Sequence, residues 1–174
     1  MMHVEYTHLI PADFSLDSRV WIYQSSRKLE AAEEAEADRI LQEFISNWKS
    51  HSRKVKGFGM ILLNQFIILI ADETISDVSG CSTDSSIHIL KKIESQLNIH
   101  LFDRQQLAFL KGTQIELIHL SKVQEALSKN IIVPDSLFFN HSVFNLKDFK
   151  EAWIIPINNS WLAKRLSLKS PIEY

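Results

Sequence analysis

The chain has 174 residues, with 19 lysines and arginines against 21 aspartates and glutamates, 45% hydrophobic residues and a single cysteine. That length suits one domain, able to bury about two thirds of the surface its unfolded form exposes without a disulfide staple. A net charge of -2 gives no electrostatic case for nucleic acid or an anionic membrane as partner, and lone Cys81 excludes an intrachain disulfide or a multi-cysteine metal site.

The first ten residues lack the basic flank and long apolar core of a signal peptide. The longest apolar run, Phe66 to Ala71, falls far short of the roughly 20 residues that span a bilayer. A reduced, cytoplasmic setting without membrane insertion is expected.

In chain order, residues 1 to 18 show no periodicity and read as an irregular lead-in. Arg19 to Gln24 is rich in β-branched and aromatic residues and predicts a strand closed by Ser25-Ser26. Leu29 to Ser50 predicts the longest helix, its stripe of Ala37, Ile40, Leu41, Phe44, Ile45 and Trp48 stepping by three and four. Acidic residues crowd its first half and Lys49, His51, Arg53 and Lys54 follow its end, matching the helix dipole.

Gly57 to Leu63 and Phe66 to Ala71 are apolar runs separated by Asn64-Gln65, a hairpin turn in which Asn tolerates positive φ. A second helix is predicted from about Thr83 to Leu97, with Ile87, Leu90, Ile93 and Leu97 on one face. Leu107 to Leu110 and Gln114 to Leu120 flank Lys111-Gly-Thr113, a second hairpin. Beyond it, Ser121 to Ser128 reads as a short helix with a Ser121/Gln124 capping box, and Pro134-Asp-Ser136 as a turn. Leu146 to Trp153 reads as a helix or extended arm, and Asn158-Asn-Ser160 as the cap of a helix carrying Trp161, Leu162 and Leu166.

The order strand, helix, strand, strand, helix, strand is that of an α+β fold with a ferredoxin-like split βαβ core (β-α-β-β-α-β). A right-handed crossover places the first strand beside the third, with both helices on one face. Because the central runs are apolar at successive positions, the second face must be covered too. The last third of the chain is the expected cover. Residues 1 to 174 therefore read as a single domain, core about 19 to 120 and C-terminal cover about 121 to 174.

A P-loop needs two glycines with four residues between them and then Lys and Ser or Thr, and none of Gly57, Gly59, Gly80 and Gly112 fits. Gly57-Phe-Gly59 opens a strand rather than a helix and lacks a third glycine, so a dinucleotide fingerprint is unsupported. The seven histidines lack the i, i+4 pairing of a helical zinc site, and no metal or cofactor is expected.

The stretch Ser79-Gly-Cys-Ser-Thr-Asp-Ser-Ser86, between the apolar run and the second helix, is the best candidate site. Free N–H groups at a helix start, with the residues Ser79, Gly80, Ser82, Thr83, Asp84 and Ser85, suit a phosphate or carboxylate. Arg19 and Arg104 are candidate counter-charges. Plain helix capping by Ser82, Thr83 or Asp84 is the structural alternative. Cys81 is a weak candidate nucleophile. His88 lies two helical turns on, about 10 Å away, too far to deprotonate it directly.

Arg19-Val-Trp-Ile-Tyr-Gln-Ser25, Ser79 to Ser86, Phe102-Asp-Arg104 and Asn159-Ser-Trp161 together resemble a small family of bacterial proteins commonly labelled "ABC transporter ATPase". The likeness runs from about Arg19 to Arg165 and implies a cytoplasmic protein of this size. Val78-Ser-Gly-Cys-Ser82 echoes the Ser-Gly pair of the transporter signature, but Walker-type ATPase activity finds no support in the residues. The expected function is a non-enzymatic binding or interaction protein, with a protein partner or a second copy engaged through anchors among Trp21, Tyr23, Trp48, Trp153 and Trp161. The alternative is an enzyme or anionic-ligand sensor built on residues 79 to 86.

Overall fold

The computed structural model describes residues 5–74 and 80–166, and for residues 80–83 the backbone alone. Among the described residues the fold is mixed α/β, with five α-helices and three sheets, all antiparallel. They divide into two compact units: residues up to Asp103 together with Phe144–Phe149, and Arg104–Val143 together with the residues from Lys150 on.

In the first unit, β1 (Arg19–Gln24), α1 (Ala31–Asn47), the short β2 (Lys49–Ser50) and β3 (Arg53–Lys54), β4 (Lys56–Leu62), β5 (Phe66–Asp72) and α2 (Gly80–Leu97) follow one another. The main sheet has the order β1-β5-β4, and every residue of β5 is buried. Since directly paired residues share a face, Trp21 and Gly59 lie with Leu69, and Val20 and Phe58 with Ile70.

Both helices cover the first of these faces, where Ala37, Ile40 and Leu41 of α1 and Leu90 and Ile93 of α2 pack on Ile67, Leu69 and Ala71. Phe66, Ile68 and Ile70 on the other face are fully buried too, as the unbroken apolar run demands. Phe14 of the N-terminal segment packs against Phe58 on that side, ring centroids 6.2 Å apart.

The two glycines rejected as a nucleotide motif have a packing role. A Cβ on Gly57 would stand 2.7 Å from Trp48 Cε3, and one on Gly59 2.5 Å from Ile45 Cδ1. Their bareness lets α1 and the Trp48 that follows it settle close to β4.

Several boundaries differ from the sequence expectation. The first helix ends at Asn47, because Trp48 leaves helical geometry and Lys49-Ser50 pairs with Arg53-Lys54 in a hairpin turned by His51 and Ser52, both at positive φ. The β4–β5 turn lies one residue earlier than expected, with Leu63 and Asn64 at positive φ and Gln65 N–H donating to Leu62 O at 3.1 Å. Helix α2 begins at Gly80, so the Ser-rich stretch from Gly80 onward is its first two turns rather than a loop.

The second unit holds β6 (Gln106–Lys111), β7 (Gln114–His119), α3 (Val123–Ser128), β8 (Leu137–Phe139), β9 (Ile154–Pro156) and α5 (Trp161–Arg165), and α4 (Leu146–Ala152) precedes β9. Its sheet order is β7-β6-β8-β9. A ferredoxin-like sheet would set β6 beside β1. Here β6 has β7 on one edge and β8 on the other. The outer edge of β1 is met within its own unit by 144–146: Val20 N–H donates to Phe144 O at 2.9 Å and Leu146 N–H to Ser18 O at 2.8 Å.

Gly112, at φ +60, makes the β6–β7 turn, where its missing side chain avoids a left-handed penalty. Phe109, Ile118, Val123, Phe138, Ile157 and Leu162 form this unit's core. Ser160 caps α5 by accepting from Leu162 N–H at 3.2 Å, as the sequence indicated. The Ser121/Gln124 box is absent. A 3-10 turn, Leu120–Lys122, precedes α3, and His119 Nδ1 accepts from Ser121 N–H at 3.3 Å.

Candidate functional site

The chemistry-bearing residues of the first unit gather at one end, where β1 and β4 begin and β5 ends. Register sets Lys56 opposite Asp72, and the Asp72 side chain is only 3% exposed. Its Oδ1 accepts from the Thr74 hydroxyl at 2.7 Å and Thr74 N–H at 3.1 Å; its Oδ2 accepts from Lys56 Nζ at 3.1 Å and Ser15 N–H at 3.4 Å. Lys56 also reaches Asp13 Oδ2 at 3.1 Å and sits 4.7 Å from the Phe14 ring centroid.

Burial alone pushes the Asp72 carboxyl up, but the donors from Thr74, Lys56 and Ser15 outweigh it and hold the group down at about 2. Hydrogen bonding to Asp13, then to Asp72, raises Lys56. A carboxylate with four donors and so low a pKa has no lone pair to spare for a metal or a proton in transit. This cluster fastens the N-terminal segment to the sheet.

Beside it the β2–β3 hairpin carries the opposite kind of feature. Lys49 faces Lys54 directly across the ribbon, and Ser50 faces Arg53. Lys49, His51, Arg53 and Lys54 are exposed. Among the described residues, no ion pair involves Lys49, Arg53 or Lys54. Like charges placed directly opposite cost stability, about 0.2–1 kcal/mol per pair, so this arrangement does nothing for the fold.

The hairpin also adjoins the start of α2. Arg27 bonds both Glu33, at the beginning of α1, and Leu97 O, at the end of α2, so the two packed helices run antiparallel. The end of α1, and the β2 that follows it, therefore lie at the α2 N-terminal end, and β2 packs on α2.

Of the sequence candidates, Ser79 lies outside the described residues, as do the side chains of Cys81, Ser82 and Thr83. Gly80 opens α2. Asp84 is exposed, Ser85 half-buried and Ser86 buried. Arg19 reaches Glu73 at 3.6 Å and lies 5.3 Å from the Trp21 ring centroid. Arg104 is exposed and belongs to the second unit, whereas Arg19 belongs to the first. Of the aromatic anchors, Trp48 and Trp153 are core, and Trp161 keeps 38% exposure.

Sequence reasoning missed the hairpin, whose signal was the density of cations in Lys49-Ser-His-Ser-Arg-Lys-Val-Lys56, and the way Asp13 and Asp72 close on Lys56. No group of three or more His, Cys, Asp or Glu side chains among the described residues is placed to hold a metal, and no described helix is long and apolar enough to cross a membrane. In comparisons with known proteins, no family model, no curated protein and no solved structure matches the chain.

Proposed function

We propose that this chain is a non-enzymatic, cytoplasmic binding protein that takes an anionic partner at the end of the first unit where α2 begins. The observation that carries this reading is the pair Lys49 and Lys54, held opposite each other with Arg53 nearby and, among the described residues, no carboxylate paired with any of the three. An approaching anion relieves their repulsion, so binding recovers what the bare ribbon loses. The N–H groups of Gly80 and the residues after it, with Ser82, Thr83 and Ser85, are the proposed further donors, and Arg19 a flanking cation. Asp84 opposes an anion there and sets the hairpin as the main contributor.

The β1–α1–β4 crossover with β5 inserted between its strands supports reading the first unit as the split βαβ half of a ferredoxin-like core. The likeness to the family labelled "ABC transporter ATPase" belongs to the same proposal, as a relationship of sequence without Walker-type chemistry.

Calorimetric titration with tripolyphosphate at low ionic strength tests the binding. Saturable binding that weakens strongly in a Lys49→Ala/Lys54→Ala variant is the expected result. Absence of binding, or binding indifferent to the variant, overturns the reading.

A further inference from the structure

Resting on that reading, we propose that the anionic partner is a second copy of this chain, joined by antiparallel pairing of β4 with itself so that Glu34 of each copy meets the hairpin of the other. Backbone register makes β4 the open edge of its sheet. Val20 N–H points away from β5, toward Phe144 O. Ile70, paired with Val20, therefore turns its own N–H and C=O toward β4, and Phe58, paired with Ile70, turns its groups toward β5. The alternate residues Gly57, Gly59 and Ile61 face outward. Among the described residues, only Gln42 meets these groups, donating from Nε2 to Gly59 O at 3.0 Å. Gln42 is itself exposed, and Gly57 and Ile61, on either side of Gly59, are half-buried. Proline, bulges and charges are the usual protections of an edge strand; 57–62 has neither proline nor charge, and its unbroken register with β5 has no bulge. Pairing about Gly59 sets Gly57 opposite the partner's Ile61 and half-buried Phe58 opposite the partner's Met60, and offers about six main-chain hydrogen bonds.

Charge selects a second copy over any other extended chain. Glu34 Oε2 accepts from Asn64 Nδ2 at 2.7 Å, so the start of α1 stands where β4 ends, whereas Lys49 and Lys54 stand where it begins. Glu34 and Asp38 fall in one helical row with Gln42, and neither has an ion pair among the described residues. Within one copy Glu34 and Lys49 lie about 22 Å apart along α1, too far to pair. A two-fold axis through Gly59 passes beside Gln42, its hydrogen-bond partner. Glu34 precedes Gln42 by about 12 Å and Lys49 follows it by about 10 Å, and the two-fold reverses that order, so each Glu34 comes level with the partner's Lys49. Such exposed pairs set orientation, while the strand ladder carries the affinity.

The test is analytical ultracentrifugation of the full chain over a range of protein and salt concentrations, with amide hydrogen exchange read on the same samples. A dimer that weakens as salt rises is expected, with exchange at Gly57, Gly59 and Ile61 slowed on dimerisation. Glu34→Lys and Lys49→Glu, each alone, should weaken dimerisation about fivefold or more. An equimolar mixture of the two variants should recover it as a heterodimer, because both contacts then join opposite charges. If the chain stays monomeric at about 100 μM while tripolyphosphate binds through the hairpin, the anion-binding reading stands and this inference falls. A dimer whose edge amides stay unprotected, or one indifferent to both charge reversals, also overturns it. If neither a dimer nor tripolyphosphate binding is found, both readings fall together.

Discussion

Arg27 and Glu33 form a two-pronged ion pair, Nη1 to Oε2 and Nη2 to Oε1, each at 2.7 Å. Arg27 Nη2 also donates to Leu97 O at 2.8 Å, and Glu33 Oε2 accepts from Glu30 N–H at 2.9 Å. One guanidinium thus ties the start of α1 to the end of α2 and fixes which helix ends share the far end of the unit. The Arg27 hydrogen bond, then that of Glu30 N–H, lowers the Glu33 carboxyl to about 2. Its folded value lies below its unfolded one, so the contribution is present above the ordinary glutamate range and is lost as pH falls from 4.5 through 2. Glu33→Gln should therefore lower the melting temperature at neutral pH and make it less sensitive to acid over that window, as thermal melts would show.

Asp72 is the one deeply buried carboxylate of the hydrogen-bonded end cluster. Replacing it by Ala strands Lys56 and the Ser15 and Thr74 donors, and should destabilise the fold by about 3 kcal/mol in urea unfolding. Asp72→Asn should cost less, since it keeps an acceptor for Thr74. Both should increase protease cleavage within residues 5–18, which Asp72 holds through Ser15 N–H and through Lys56 to Asp13. An unchanged cleavage pattern would show that the anchor lies elsewhere.

Gly57→Ala pushes a methyl against the rigid indole of Trp48, whereas Gly59→Ala meets the movable end of Ile45 and, at 3.0 Å, Leu41 Cδ2. Chemical unfolding should find Gly57→Ala destabilising by about 1–3 kcal/mol and Gly59→Ala by less, because a terminal methyl can rotate aside and an indole cannot.

Ser52, exposed and at φ +67, sits where a type I′ turn favours Gly. Ser52→Gly should stabilise the fold by about 0.5–1 kcal/mol, measured by denaturant midpoint. Because it removes no charge, it should leave anion binding intact.

Much of the first unit was legible because its signals are local and periodic. The α1 stripe and the β5 run each name their buried residues, and β1 lies beside β5, the neighbour expected for the first strand. The β2–β3 hairpin was not legible, since strands of two residues carry no period and the cations after Asn47 equally suit a helix end. The β4–β5 turn slipped by one residue because the sequence offers Asn64 but does not say that Leu63 takes the other left-handed position. The neighbours of β6 are chosen by long-range pairing with β7 and β8, and nothing in composition changes between Asp103 and Arg104 to announce a new unit. At the candidate site the Ser-rich stretch was visible, but the charge that gives this end its character is contributed by an element that sequence order places far from it.

The most direct measurement of the proposed site is a 15N-edited NMR titration of the full chain with tripolyphosphate. The account predicts that amide shifts concentrate at Lys49–Lys54, Arg19 and the first turn of α2, and that they vanish at high salt. Shifts centred on the second unit, or none at low salt, would contradict it.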